Sequence, residues 1–273
     1  MKILLVYFSA TENTEKVAEV IKGQFVELGA DVDLVDITSY SDRQKETDFR
    51  DYQAFVFGMP IHSMRTPRIV RQWFETLYGQ DRKCSTFFTY GGFGVHPAHY
   101  STREILEKQG FLLVSSAEFL GKHTFNLGGW SALKDRPDHS DFDLARKYAK
   151  RTYMRFTGED GGVVEKLEKT EYTEKQLEEF ENFRFMAVSQ LPTRGGEGCS
   201  MCMRCEELCP TQAMDAMKGE ADREKCIVCL RCVYICPERA LKINDARALW
   251  PIKLQMEGET EDTLNNKKGK LYF

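Results

Sequence analysis

The first part of the chain alternates short apolar runs with amphipathic segments. Residues 2–8 form a near-continuous apolar run, the pattern of a strand buried on both faces of a parallel sheet. From residue 15 to 28, Val17, Val20, Ile21 and Phe25 recur at helical spacing, and Gly29 supplies a stop. Further strands are predicted over residues 32–37, 51–57, 84–90 and 111–119. Helices are predicted over 67–78, with proline in the first turn, over 99–108, closed by Gly110, and over 141–156. Five strands alternating with helices define an α/β, doubly wound, five-stranded parallel sheet.

The pattern then changes. Residues 158–162 are a break, and Thr173-x-x-Gln176 is a capping-box signature that opens a helix. Leu177, Phe180 and Phe183 lie on one side of that helix and glutamates on the other, so the stripe reads as a packing face. Gly195-Gly196-Glu197-Gly198 leads into a cysteine-rich segment, and residues 246–273 read as a polar tail carrying Trp250, Pro251, Tyr272 and Phe273. The expected division is therefore 1–157, a linker at 158–194, a second domain at 195–245 and a C-terminal tail at 246–273. The 273 residues suit two domains plus connectors. A net charge of −4 argues against nucleic acid and anionic membrane as partners. The N-terminal apolar run is too short for a signal peptide and no run approaches the ~18 apolar residues of a membrane span, so a cytoplasmic protein is expected.

Eight of the nine cysteines lie after residue 198, and their spacing is specific. CSMCMRCEELCP and CIVCLRCVYICP each read C-x2-C-x2-C-x3-C-P, the run that holds a [4Fe–4S] cluster in bacterial-type ferredoxins. The copies form an internal repeat in which Arg204 matches Arg231 and Ala213 matches Ala240. In two-cluster proteins the fourth cysteine crosses to the other cluster. The expected ligand sets are Cys199, Cys202, Cys205 and Cys236 for one cluster, and Cys226, Cys229, Cys232 and Cys209 for the other. Pro210 and Pro237 stiffen the chain beyond the crossing cysteines. Zinc prefers four ligands in two pairs, and a disulfide framework needs an oxidising compartment. Low-potential clusters also suggest an anaerobic or microaerobic host. Cys84, alone in an apolar run, reads as a buried structural thiol.

Three loops at predicted strand ends, residues 9–14, 58–64 and 90–96, lie where a doubly wound sheet binds ligands. Ser9-Ala10-Thr11-Glu12-Asn13-Thr14 places hydroxyl and amide side chains at a helix N-terminus, which suits a phosphate and equally suits an ordinary cap. It lacks the lysine of a P-loop, and no G-x-G-x-x-G is present. The segment resembles the flavodoxin phosphate loop, Ser/Thr-x-Thr-Gly-Asn-Thr, with Glu12 in place of the glycine. The whole chain resembles the flavodoxin–ferredoxin fusion family, moderately over 1–157 and strongly over 195–245.

That resemblance implies an FMN-binding flavodoxin-like domain followed by a small α+β ferredoxin domain with two [4Fe–4S] clusters. It places the FMN phosphate on Ser9–Thr14. The ring would lie between Met59, Pro60, Ile61 and His62 on one side and Tyr90, Gly91, Gly92, Phe93 and Gly94 on the other. His62, His96 and His99 fall in or near these loops and read more simply as polar loop residues. The stretch from Gly121 to Asp141, with Asn126 and Trp130, is long enough for a lid over the flavin or an ordinary surface insertion. The expected function is electron transfer between clusters and FMN, and on to a partner protein or small acceptor. A flavin-dependent reductase fed by the clusters and a redox sensor are the alternatives. No nicotinamide site is visible, and the sequence does not state an oligomeric form. Arg204 and Arg231 are expected either to raise cluster potentials or to mark a docking face.

Overall fold

In the computed structural model, residues 1–45, 48–164, 166–195 and 198–273 are described, residue 96 by its backbone only. Gly196 and Glu197 of the glycine-rich lead therefore lie outside the described residues, as does the His96 side chain.

The N-terminal elements are β1 (Lys2–Tyr7), α1 (Asn13–Glu27), β2 (Asp31–Asp36), α2 (Tyr40–Arg43), β3 (Ala54–Pro60), α3 (Arg68–Phe74), β4 (Arg82–Tyr90), α4 (His96–Lys108), β5 (Phe111–Leu120) and α5 (His139–Thr157). The third strand starts and ends three residues later than its apolar pattern suggests. The helix expected over 67–78 stops at Phe74.

Period-two alternation explains the layering. Ile3, Leu5 and Tyr7 face α1 and α5, where Val17, Ile21, Phe25, Ala145 and Tyr148 complete one core. Leu4, Val6 and Phe8 face the other side, where Phe55, Phe57, Val70, Phe74 and Leu106 complete a second. Cys84 is fully buried in that second core, as a structural thiol should be.

Strand order is β10-β5-β4-β3-β1-β2, where β10 is Lys270–Tyr272. The five expected strands pair in parallel, in the flavodoxin-like order 2-1-3-4-5. The sixth pairs antiparallel with β5, Leu271 opposite Ala117. Residues 246–273 therefore pack back on the core. They form α10 (Leu249–Glu257), α11 (Glu261–Asn265) and β10. The approach to the edge is tight enough to require glycine, because a Cβ on Gly269 would lie 2.2 Å from the Glu118 carbonyl oxygen.

Between these parts, α6 (Glu174–Asn182) carries the capping box read in the sequence. Thr173 Oγ1 accepts from the Gln176 amide at 3.3 Å, and Gln176 Oε1 from the Thr173 amide at 2.9 Å. The expected aromatic packing face is not what docks this helix. Leu177 is buried, but Phe183 is 55% exposed. Docking falls instead to the buried Arg65, which donates to Glu174 and, at 2.7 Å, to Glu181, with Arg71 2.8 Å from Glu181.

The cysteine-rich module follows α7 (Arg184–Ala187). It comprises β6 (Thr193–Arg194), α8 (Arg204–Glu207), β7 (Met214–Asp215), β8 (Glu220–Ala221), α9 (Arg231–Tyr234) and β9 (Leu241–Lys242), with β6 to β9 forming a small antiparallel sheet. Among the described residues no helix is long and apolar enough to cross a membrane.

Candidate functional site

The sequence repeat is also a backbone repeat. Met201 and Met203 have φ of 56° and 61°, and their counterparts Val228 and Leu230 have 52° and 57°. Gln212 and Arg239 match at 53° and 52°. Left-handed conformations cost non-glycine residues about 1 kcal/mol or more each, and Val228 is β-branched besides. Such strain persists where something else fixes the loop. Here the left-handed turns aim amides at sulfur. Met201 N donates to Cys199 Sγ at 3.4 Å and Val228 N to Cys226 Sγ at 3.3 Å. Ala213 N donates to Cys209 Sγ and Ala240 N to Cys236 Sγ, both at 3.3 Å. Amide donors at sulfur favour thiolate, the form that ligates iron.

The cysteines gather in two crossed sets. Cys199, Cys202, Cys205 and Cys236 line one recess, with Arg194, Met201, Met203, Arg204 and Pro237 around them. Cys209 interacts electrostatically with Cys226, Cys229 and Cys232. Each half thus sends its last cysteine toward the other half's first three. Among the described residues no three His, Cys, Asp or Glu side chains converge closely enough for a single metal ion. Thiols spread around a recess suit a multi-iron cubane better than tetrahedral zinc.

The sets differ in surroundings. Cys202 in the first set is exposed, whereas Cys209, Cys229 and Cys232 in the second are buried. Burial pushes the Cys229 thiol up to about 12 and Cys232 well above its ordinary value. A thiolate there requires nearby positive charge, and cations are at hand. Arg184 Nη2 donates to the Val228 carbonyl at 2.5 Å. Burial lowers the Arg184 guanidinium to about 10, while the Cys229 and Cys226 sulfurs oppose that shift. Arg43 donates to the Pro210 carbonyl and interacts with Cys209 and Cys229. Two buried Nε–H groups without a partner, those of Arg184 and Arg231, belong to this region, and cluster sulfide is the acceptor such donors suit. The residues present therefore fit iron–sulfur groups. Arg184 and Arg43 carried no motif signal, since single arginines in polar segments look like surface residues.

The three loops expected to hold FMN follow β1, β3 and β4, neighbouring strands of the sheet. Glu12 adopts φ 64°, the left-handed conformation a glycine takes there without strain. Ser9 is 2% and Thr14 1% exposed, and both hydroxyls are engaged. Ser9 Oγ accepts from the Glu15 amide at 3.2 Å, and Thr14 Oγ1 pairs with Thr89 Oγ1 at 2.7 Å. Asn13 Nδ2 donates to the Lys122 carbonyl at 2.9 Å. Ala10 is buried, while Thr11 is partly open. Glu12, Glu15, Lys16, Glu19 and Phe142 line an open groove beside α1.

Met59, His62, Tyr90 and Gly92 are buried, and Pro60, Ile61, Gly91 and Phe93 partly so. The His123 ring lies against Gly91, where a Cβ would meet it at 2.2 Å, and Leu264 and Leu133 lie against Gly92. Met64 sits against Gly94. Trp130 and Trp250, 5.3 Å apart, belong to the apolar cluster that continues over Tyr90 to Val228 and Leu230 of the second cysteine loop. The segment after Gly121 thus joins a lid, made with α10 and α11. Asn126 fixes its turn by bonding both ways to Ala132, at 2.7 and 3.0 Å. His99 is in neither loop's opening but buried, with Ser116 and Glu118 at 2.7 and 3.1 Å.

Flavodoxin-like sheets place FMN at the β1/β3 switch point. Beside that point the His123 ring packs against Gly91, and Leu264 and Leu133 against Gly92.

Residues 191–237 match the family model of a 4Fe–4S dicluster domain. That match lies C-terminal to a sheet whose strand order is flavodoxin-like. Solved structures similar to the N-terminal part include a flavodoxin from the domain Archaea, at 16% identity and TM-score 0.44, covering 57% of this chain and 99% of that one. Oxidised flavodoxin 2 from Bacillus cereus is 17% identical at TM-score 0.44, covering 58% of this chain and 99% of that one. Rubredoxin oxygen:oxidoreductase from the anaerobe Desulfovibrio gigas is 19% identical at TM-score 0.44, covering 57% of this chain and 36% of that one. No curated protein matches the chain.

Proposed function

We propose that the chain is an electron-transfer protein whose carriers are two [4Fe–4S] clusters. Cys199, Cys202, Cys205 and Cys236 hold an outer cluster; Cys226, Cys229, Cys232 and Cys209 hold an inner one. The observation that carries this reading is the crossing of the fourth thiols, Cys236 beside Cys199 and Cys205 and Cys209 beside Cys226, Cys229 and Cys232. The exposed Cys202 makes the outer cluster the point of exchange with a redox partner. The buried inner cluster, ringed by arginines, serves as the insulated second carrier.

A second reading adds FMN as a third carrier at the first βα turn, the ligand this fold implies. The left-handed Glu12 favours it, because the loop keeps the backbone shape of a phosphate loop at the head of the 15-residue α1. When bound, FMN would supply a one- or two-electron step beside the one-electron clusters.

Anaerobic purification with iron and sulfide analysis tests the first reading. About eight irons per chain are expected, and about four in Cys202→Ala. Zinc, or iron unchanged by Cys202→Ala, removes it.

A further inference from the structure

We propose that the first βα turn, where this fold would seat a flavin phosphate, serves here as the berth of the cluster module, and that the chain carries electrons on iron–sulfur alone. The Arg231 guanidinium donates to the Ser9 carbonyl at 2.8 Å, reaching from the second cysteine loop into residues 9–14. Tyr234, one turn further along α9, lies near enough to Glu12 to feel its charge. Arg43, fixed by 2.8 Å bonds to the Ile37 and Thr38 carbonyls just beyond β2, donates to Pro210. These three contacts join the module to the ends of β1 and β2.

Charge points the same way. A phosphate site at a helix N-terminus works by offering positive ends to an anion. Here Glu12, Glu15 and Glu19 border the groove beside α1, with Lys16 as the single cation lining it among the described residues. Such a turn repels a dianion and attracts a guanidinium. Glu12 stands where glycine would be unstrained, and its carboxylate lies 3.6 Å from Lys16 Nζ. The Ser9 and Thr14 hydroxyl oxygens already take part in hydrogen bonds within the protein. On the loop expected beside the ring, His123 packs against Gly91 and Leu264 against Gly92.

The full-length protein, reconstituted anaerobically with iron and sulfide in excess FMN and then desalted, tests this by counting flavin. Less than about a tenth of an FMN per chain is expected, and near-stoichiometric FMN overturns the proposal. If iron and sulfide fail to load, the electron-carrier reading falls, and the FMN count still decides the berth. A second measurement addresses the contact itself. Arg231→Gln should speed amide exchange about tenfold in residues 9–15 and 228–235 together, given the usual strength of a charged hydrogen bond. Arg204→Gln, at the matching position of the outer loop, should leave residues 9–15 unchanged. Equal effects of the two variants on residues 9–15 would overturn the berth.

Discussion

Arg184 donates from Nη2 to the carbonyl oxygen of Val228 at 2.5 Å, joining the linker to the strained turn of the second cysteine loop. A buried cation held this way favours the more negative, reduced state of whatever the loop ligates, more than a neutral or apolar neighbour would.

Removing that charge should therefore lower the inner midpoint potential. For Arg184→Gln a fall on the order of 50 mV is expected, equivalent to about 1 kcal/mol for one electron. The outer cluster should not move. Redox titration followed by electron paramagnetic resonance resolves the two; equal shifts, or none, would remove Arg184 from this role.

Acid should weaken the fold through two imidazoles. Burial, reinforced by the charge of Arg184, holds His62 well below its ordinary value and His123 at about 3. An unfolded imidazole titrates near about 6.5. Below that pH the unfolded chain takes up protons that the folded chain does not, so stability is full above about pH 6.5 and falls as pH drops toward the folded values. The loss is about 1.4 kcal/mol per imidazole for each pH unit. Denaturation midpoints at pH 7 and 5.5 should differ accordingly, and His123→Gln should shrink the difference. A wild-type midpoint independent of pH over that range would contradict the assignment.

The lid over the strand ends depends on Trp250. Its ring packs 5.3 Å from Trp130, and its Nε1 donates to Glu261 at 2.6 Å. Trp250→Ala should cost about 3 kcal/mol or more, the usual effect of emptying a buried aromatic site. It should also raise amide exchange in residues 123–133. A cost below about 1 kcal/mol would mean that the lid packs independently of this ring.

What was legible in the sequence follows from range. Residues 2–8 and 84–90 read as strands because their own apolar runs demand burial on two faces. The cysteine sets read directly because iron imposes spacing. β10 could not be read, since three residues carry no periodicity and become a strand only against β5. Phe183 misled because an aromatic at helical spacing looks like packing, while the docking force came from Arg65, a buried charge with no pattern of its own. The loop at 9–14 was legible as a turn before a helix. Its contact with Arg231 was not, because that residue lies more than two hundred positions away.

The pairing of Lys270–Tyr272 with Phe111–Leu120 has a consequence for biogenesis. A ribosome delivers the sixth strand only after the entire cysteine-rich segment has emerged. Until then β5 presents an open edge, the kind of surface that recruits chaperones or neighbouring chains. When iron is scarce, a stalled cysteine segment would prolong that exposure, so a nutrient shortage would be felt as a hazard of nascent-chain aggregation.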